Sequence, residues 1–286
     1  MSGADMTAGG AHEINRPVPW WRALPDLFGN LHQHRFILRT FVYRDLKIRY
    51  SESLLGYFWS LLEPLLLAAT YYTLFALVTE EKVPRYSYFV VIGVLAWGFF
   101  TRCMNNSASS LTGNAGIIQS VYFPREIFAA TATGSNLIIT ALSLLVTIPF
   151  MIYYERVPNI NLLYVPLGLF LLALLGLGVG LGLACLNAVH RDVEHFLRFV
   201  TRAGFFLSPV MWTPEIAAGR SSHFYYLLIN PVVVPMTMVR NGLDGRALSE
   251  QLSTGAIAYS VIFCVAAFLI GVTVFKSNEA EAVKYV

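Results

Sequence analysis

Glu63 is the one carboxylate that falls clearly inside a long apolar stretch, and Pro64 follows it. A charge at the centre of a membrane helix costs about 2.5–3.5 kcal/mol on insertion scales, so it needs a partner or a task. Two readings stand. Glu63 contacts a proton or a substrate, or it is structural, paired with Arg102 at similar depth in the next apolar stretch or marking a helix break beside Pro64. Tyr57, Ser60, Pro64, Leu67, Tyr71 and Leu74 alternate spacings of three and four, so they share one helical face, flanked by Tyr72 and Phe75. Aromatic rings on such a face can stack on sugar rings and offer hydroxyl hydrogen bonds. Ordinary packing or lipid contact would use the same residues.

A second cluster is cationic. Within Trp20–Tyr50, Arg35, Arg39, Arg44, Lys47 and Arg49 interleave with Leu38, Phe41, Val42, Leu46 and Ile48 at helical spacing. This predicts a basic amphipathic helix leading into the first apolar stretch. Such a helix lies in the headgroup layer with its apolar face inward, or it packs on the protein itself. Asn105–Glu126 and the short charged His190–His195 segment read as polar loops, with a short surface helix within Ser107–Tyr122.

Other patterns carry no chemistry. Gly176, Gly178, Gly180 and Gly182 sit among Leu and Val in an apolar run, so they form two overlapping GxxxG spacings for close helix approach, not a phosphate loop. The sequence leaves open which helix they meet. Walker A, the Rossmann fingerprint, HExxH and GxSxG are missing. Cys103, Cys185 and Cys264 lie in apolar stretches and read as small buried hydrophobes, with no spacing that suggests a metal site.

The elements that position these residues follow from composition. Hydrophobic types are 56% of 286 residues and charged types 13%, against about 25% charged in soluble domains. So little charge excludes a soluble enzyme, a disordered chain and a nucleic-acid binder. The remaining class is an all-α integral membrane protein. Six stretches approach the ~20 residues of a span: Leu54–Val78, Tyr86–Met104, Ile127–Tyr154, Leu162–Val189, Phe196–Trp212 and Gly255–Phe275. The fifth is short and interrupted by Pro209. Tyr225–Val239, broken by Pro231 and Pro235, reads as re-entrant or interfacial helices. Six spans put both termini on one side. Of 20 Lys and Arg, only Lys82, Arg85, Arg156, Arg220, Arg240 and Arg246 then fall on the other, so the termini are expected to be cytoplasmic. The expected organisation is a flexible tail over 1–19, the amphipathic region over 20–53 and a transmembrane domain over 54–286.

Several motifs occur in a fixed order: Arg44-Asp45-Leu46-Lys47-Ile48-Arg49-Tyr50, Leu55-Gly56-Tyr57-Phe58-Trp59, Glu63-Pro64, Tyr122-Phe123-Pro124-Arg125-Glu126-Ile127, Arg191-Asp192-Val193, Ser208-Pro209-Val210 and Asn230-Pro231. Together, over about Arg35 to Phe275, the chain resembles the permeases of type-2 ABC polysaccharide exporters: the O-antigen (Wzm-type), teichoic acid (TagG-type) and capsule-export family.

The resemblance implies a homodimer in a bacterial inner membrane, with two separate ATP-binding subunits that hold ATP and Mg, and no cofactor in this chain. It implies an N-terminal interface helix and a coupling helix in Asn105–Glu126 that meets the ATPase through Ile117, Ile118, Gln119, Tyr122 and Arg125. Pro214–Asn241 would form outer gate helices, with Pro209, Met211, Asn230 and Pro231 as gate residues. Tyr57, Tyr71, Tyr72, Phe75, Phe206 and Trp212 would line a channel for a polyprenyl-linked glycan such as O-antigen, galactan or teichoic acid. Arg39, Arg44, Lys47 and Arg49 would meet the substrate's pyrophosphate or anchor the helix to anionic lipid. Other expectations are an ABC-2 exporter of a small lipid or drug, a membrane-embedded glycosyltransferase, and an ATP-independent carrier. The last two lack their carboxylate pairs, or their several deep polar residues and repeats.

Overall fold

An apolar chain crossing lipid must satisfy its backbone internally, which favours helices, and every regular element among the described residues is helical. The computed structural model describes residues 20–51, 55–78, 86–121, 124–214 and 229–286, with the side chains of 20, 50, 51, 57, 68, 71, 72 and 74–78 left out. The expected tail 1–19, Tyr122, Phe123 and residues 215–228 of the gate segment lie outside the described residues. So do the side chains of Tyr57, Tyr71, Tyr72 and Phe75.

The helices are α1 (Ala23–Gln33), α2 (Arg35–Ser51), α3 (Trp59–Val78), α4 (Tyr86–Ala108), α5 (Ala115–Ser120), α6 (Glu126–Ser143), α7 (Thr147–Tyr153), α8 (Tyr164–Val189), α9 (Asp192–Leu207), α10 (Val233–Asp244) and α11 (Thr254–Ala282). Among the described residues, four stretches are long and apolar enough to cross a membrane: Tyr86–Ala108, Glu126–Tyr153, Ile160–Val189 and Thr254–Tyr285. They match the second, third, fourth and sixth expected spans. The first is the 20-residue α3, with Pro64 inside it. The fifth is the 16-residue α9, which ends at Leu207 just before Pro209.

Helix ends follow local chemistry. Ser253 accepts from the Ala256 amide at 3.2 Å and starts α11. Gly245, at φ +77°, ends α10 in the left-handed conformation that glycine adopts without a Cβ penalty. Pro235 falls in the first turn of α10, where its missing N–H leaves no gap.

The centre of the bundle is α4. Val90, Val91, Ile92, Ala96 and Phe99 are essentially inaccessible on successive faces. It packs against α8 on one side and α6 and α3 on the other. The glycines of α8 explain the close approach. A Cβ at Gly176 would lie 3.0 Å from the Phe100 carbonyl oxygen, and one at Gly180 2.6 Å from that of Met104, both on α4. A Cβ at Gly178 would lie 2.5 Å from the Phe268 Cα, and one at Gly182 3.4 Å from the Gly271 Cα, both on α11. The two overlapping spacings therefore serve two different neighbours within one subunit, which settles the question the sequence left open.

The N-terminal region departs from the expected single helix. It breaks at His34, and α1 and α2 are separate. The buried side of α1, Ala23 and Leu27, joins an apolar layer with Ala184 of α8 and Val272 and Phe275 of α11. On α2, Ile37, Leu38 and Phe41 pack against Ile127 and Phe128 of α6. Both helices thus rest partly on protein. Ile48 does not share the buried face; it is 65% exposed.

Candidate coupling platform and outer gate

The segment joining α4 to α6 is fastened at both ends. At its start, the buried Asn187 near the end of α8 donates from Nδ2 to the Ala108 carbonyl at 3.1 Å and to Glu194 Oε1 at 3.0 Å. Thr112 donates to the same Glu194 oxygen at 3.4 Å. The expected loop His190–His195 is helical from Asp192 on, and Glu194 in the first turn of α9 supplies a carboxylate that holds the start of the segment. At its far end, Glu126, the first residue of α6, is fully buried. Its Oε1 lies 2.6 Å from Lys276 Nζ on α11 and accepts from Asn30 Nδ2 of α1 at 2.8 Å. We expect Asn187→Leu to lower stability by about 1–3 kcal/mol, because it strands the Ala108 carbonyl and leaves the Glu194 carboxylate with only the longer Thr112 contact. The thermal unfolding midpoint in detergent measures this. An unchanged midpoint would show that the amide contributes nothing.

Between these fasteners lies the six-residue α5. Ile117 and Ile118 are half-buried and pack inward beside Ile127 and Phe128. They root the helix against α6 while each keeps part of its surface exposed. Among described residues the outer surface is Gly116, Gln119, Ser120 and Val121, with Val121 59% exposed. Gln119 donates to the Val286 carbonyl at 2.9 Å, so the end of the described chain meets α5. Arg125 is half-buried just before α6.

On α2, Arg39, Lys47 and Arg49 are exposed. Arg44 lies over the Phe41 ring at 4.5 Å and pairs with Asp45 at 3.2 Å. Arg44 and Asp45 border a cavity of about 180 Å3, also lined by Asn106, Ser109, Asn114 and Thr131. Its floor of hydroxyls and amides beside a guanidinium can hydrogen-bond phosphate-like oxygens.

At the opposite end of the bundle, α9 stops and the chain turns. Three consecutive carbonyls of this break have donors. The Arg240 guanidinium donates to Val210 O at 2.9 Å and Trp212 O at 3.4 Å, and Tyr86 Oη donates to Met211 O at 3.4 Å. Arg240 also lies 3.5 Å from the Phe89 ring centroid. It is 6% exposed, so it is buried in the bundle and not solvated. Asn230 ties the two sides of the break. Its Nδ2 donates to Ser208 Oγ at 3.0 Å, and its Oδ1 accepts from the Val232 amide at 3.1 Å. The Pro231 carbonyl accepts from Ser260 of α11 at 2.6 Å. Pro209 is buried and Met211 half-buried. Trp212 Nε1 donates to the Phe206 carbonyl at 3.3 Å, tying the turn back to the end of α9. α10 beyond the break is buried through Leu243, packed along α8 from Gly168 to Val165.

Glu63 and Arg102 are not brought together. Ser60 and Pro64 form the buried side of α3, and Ser143 Oγ of α6 donates to the Ser60 carbonyl at 2.8 Å. Glu63 is exposed on the side turned away from α4, with Trp59, Leu66 and Leu67. Arg102 donates to Thr140 of α6 at 3.2 Å. Similar depth on two helices gives no contact when one side chain leaves the shared groove. The residues that sequence reasoning missed are Asn30, Asn187, Glu194, Arg240 and Lys276; Glu126 stood in a quoted motif without a role.

Residues 37–243 match the ABC-2 type transporter family. The chain belongs to this family. The match spans α2 to α10, so the coupling segment, the cavity and the break all fall inside the ABC-2 region. The chain is 28% identical over 256 residues to the O-antigen export system permease protein RfbA of Myxococcus xanthus, covering 89% of this chain and 97% of that one. It is 31% identical over 194 residues to RfbA of Klebsiella pneumoniae, covering 66% and 73%. It is 23% identical over 239 residues to the polysialic acid transport protein KpsM of Escherichia coli, covering 82% and 91%. The resemblance drawn from the ordered motifs agrees with these relatives.

Proposed function

We propose that this ABC-2 chain is the membrane-spanning subunit of an ATP-driven exporter that moves a polyprenyl-linked polysaccharide out of the cytoplasm. The observation that carries the reading is likeness over nearly the whole length of an O-antigen export permease, joined to a connecting segment fastened at one end by the buried Glu126 and at the other by the half-buried Glu194. In this reading α3 and α9 complete six spans, the α1 face is cytoplasmic, and two copies work with two ATP-binding subunits. The apolar sides that α3 and α9 leave uncovered, including Trp59, Leu67, Phe199 and Phe206, then meet the second copy and line the channel with Tyr57, Tyr71, Tyr72, Phe75 and Trp212.

ATP closes the ATPase pair, and α5, with Gln119, Val121, Tyr122 and Arg125, receives the motion. The motion reaches α4, α6 and α8 through the rooted ends of the segment. The pyrophosphate approaches Arg39, Arg44, Lys47 and Arg49, with the cavity beside Arg44 offering hydroxyl and amide donors. The break at Pro209–Asn230 is the outer gate, where α10 serves as a re-entrant helix. The twelve residues of α10 span about 18 Å at 1.5 Å each, too short to cross a ~30 Å core.

Deletion of the gene should stop the glycan from reaching the surface while its polyprenyl-linked form accumulates inside. Re-expression should clear that pool only with an ATP-binding subunit able to hydrolyse ATP. Clearance without ATP hydrolysis, or a normal glycan pool in the deletion strain, would overturn the reading; accumulation of a small lipid instead would favour the small-molecule exporter.

A further inference from the structure

We infer that the Glu126–Lys276 contact is the joint that makes the coupling segment, α1 and the last membrane helix α11 move as one body. This rests on the exporter reading above. Three elements far apart in the chain meet at one carboxylate oxygen: Glu126 of α6, Lys276 of α11 at 2.6 Å and Asn30 of α1 at 2.8 Å. Glu126 and Lys276 side chains are 0% and 4% exposed. They stand next to the apolar layer that Leu27, Ala184, Val272 and Phe275 form between α1, α8 and α11. Apolar packing alone would hold these helices together and leave them free to slide. A buried ion pair adds a directional contact that fixes register, and breaking one partner alone leaves a buried charge.

Lys276 has a second carboxylate, Glu279, 3.3 Å away on its own helix, which braces the ammonium toward Glu126. α11 suits the role of a lever. Its 29 residues extend about 43 Å, well past a ~30 Å core, so Lys276 sits on the part that continues to α1 and α5. Glu126 and Lys276 are positioning residues: they touch no substrate and act through the helices they join.

The test uses the full permease in complex with its ATP-binding subunit, reconstituted in vesicles with the lipid-linked glycan. Glu126→Gln keeps the shape and the Asn30 contact but removes the charge. We expect its ATP hydrolysis to stay near wild type and glycan export per ATP to fall about five- to tenfold, the range of a typical coupling interaction. Lys276→Met should also uncouple export, and adding Glu126→Gln to it should cost little further, because both changes break the same contact. A second readout needs no glycan. Spin labels at Gln33→Cys and Glu281→Cys should keep one distance on ATP binding in wild type and separate in Glu126→Gln. Unchanged export per ATP and an unchanged label distance in Glu126→Gln overturn the joint. So does a double variant whose fold-loss in export per ATP is the product of the two single losses. A wild-type complex that moves no glycan while its labels behave as expected would instead fault the exporter reading and leave the joint standing.

Discussion

Arg240→Met is expected to cut export at least tenfold and to open the outer break to water-soluble reagents. The side chain holds two of three consecutive carbonyls, Val210 and Trp212, through a rigid fork. Methionine fills most of the volume and donates nothing. Each carbonyl left buried without a donor costs about 1–3 kcal/mol, and loss of a desolvated cation–π contact adds up to about 2 kcal/mol. Removing a buried charge offsets part of this, leaving a net loss on the order of 2–4 kcal/mol. That loss falls on the break rather than on the bundle, because α10 keeps its apolar contacts with α8. Gly93 shows how closely the site is cut: a Cβ there would run into the guanidinium and lie 2.8 Å from the Val210 carbonyl. Arg240→Lys is expected to be intermediate, since an ammonium reaches one carbonyl but lacks the fork. A cysteine at Thr213 reports the geometry. The three native cysteines are buried, so a membrane-impermeant maleimide added from outside reads the reporter. Labelling should accelerate in Arg240→Met and change little in Arg240→Lys. Equal labelling rates and normal export in Arg240→Met would show that the clamp does not set the gate.

The long helices were legible because their signal is local. A continuous apolar run of span length admits few structures in lipid, and α4, α6–α7, α8 and α11 follow it to within a few residues at most ends; α11 alone runs seven residues past its expected end. The glycine run was legible as packing for the same reason, but its partners were not. Hydropathy records that a side chain is small, and only the fold decides which neighbour occupies the space. Polar contacts were the least legible. Glu63 and Arg102 were expected at similar depth, yet Glu63 is exposed on α3 while Arg102 donates to Thr140 of α6. The pairs that do form join distant segments: Asn30 and Glu126 are 96 residues apart. No spacing rule reaches that far. The burial of Arg240 was not legible because counting by loop gives only a side of the membrane, whereas backbone freed by a helix break creates an acceptor site that draws a guanidinium inward. Glu126 had a detectable signal, since it closes the Phe-Pro-Arg-Glu motif where no solvated loop needs a specific acid.

Gly178 offers the sharpest test of the α8 seam. Gly178→Val should yield little or no folded protein, and Gly178→Ala should be measurably destabilised, while Gly182→Ala should stay near wild type. Both positions lie in the same apolar run, so hydropathy and helix propensity predict no such order; alanine is even the better helix former. The structure predicts it from what each new Cβ meets. At Gly178 the neighbours are backbone atoms of α11: the Phe268 Cα at 2.5 Å and the Ala267 carbonyl oxygen at 2.7 Å. Backbone cannot change rotamer, so relief requires moving α11 as a unit. Overpacking of this kind costs about 1–3 kcal/mol, with rigid neighbours at the upper end, and valine adds two further carbons. The contact is reciprocal, because a Cβ at Gly271 would run into the Gly178 carbonyl. At Gly182 the nearest atom is the Gly271 Cα at 3.4 Å, within ordinary van der Waals range. Size-exclusion profiles and thermal unfolding midpoints in detergent measure the series. Moving α11 also carries Lys276 away from Glu126, so a folded fraction of Gly178→Ala should hydrolyse ATP while exporting less per cycle. If Gly178→Ala matched wild type in midpoint, α8 and α11 would not touch backbone to backbone.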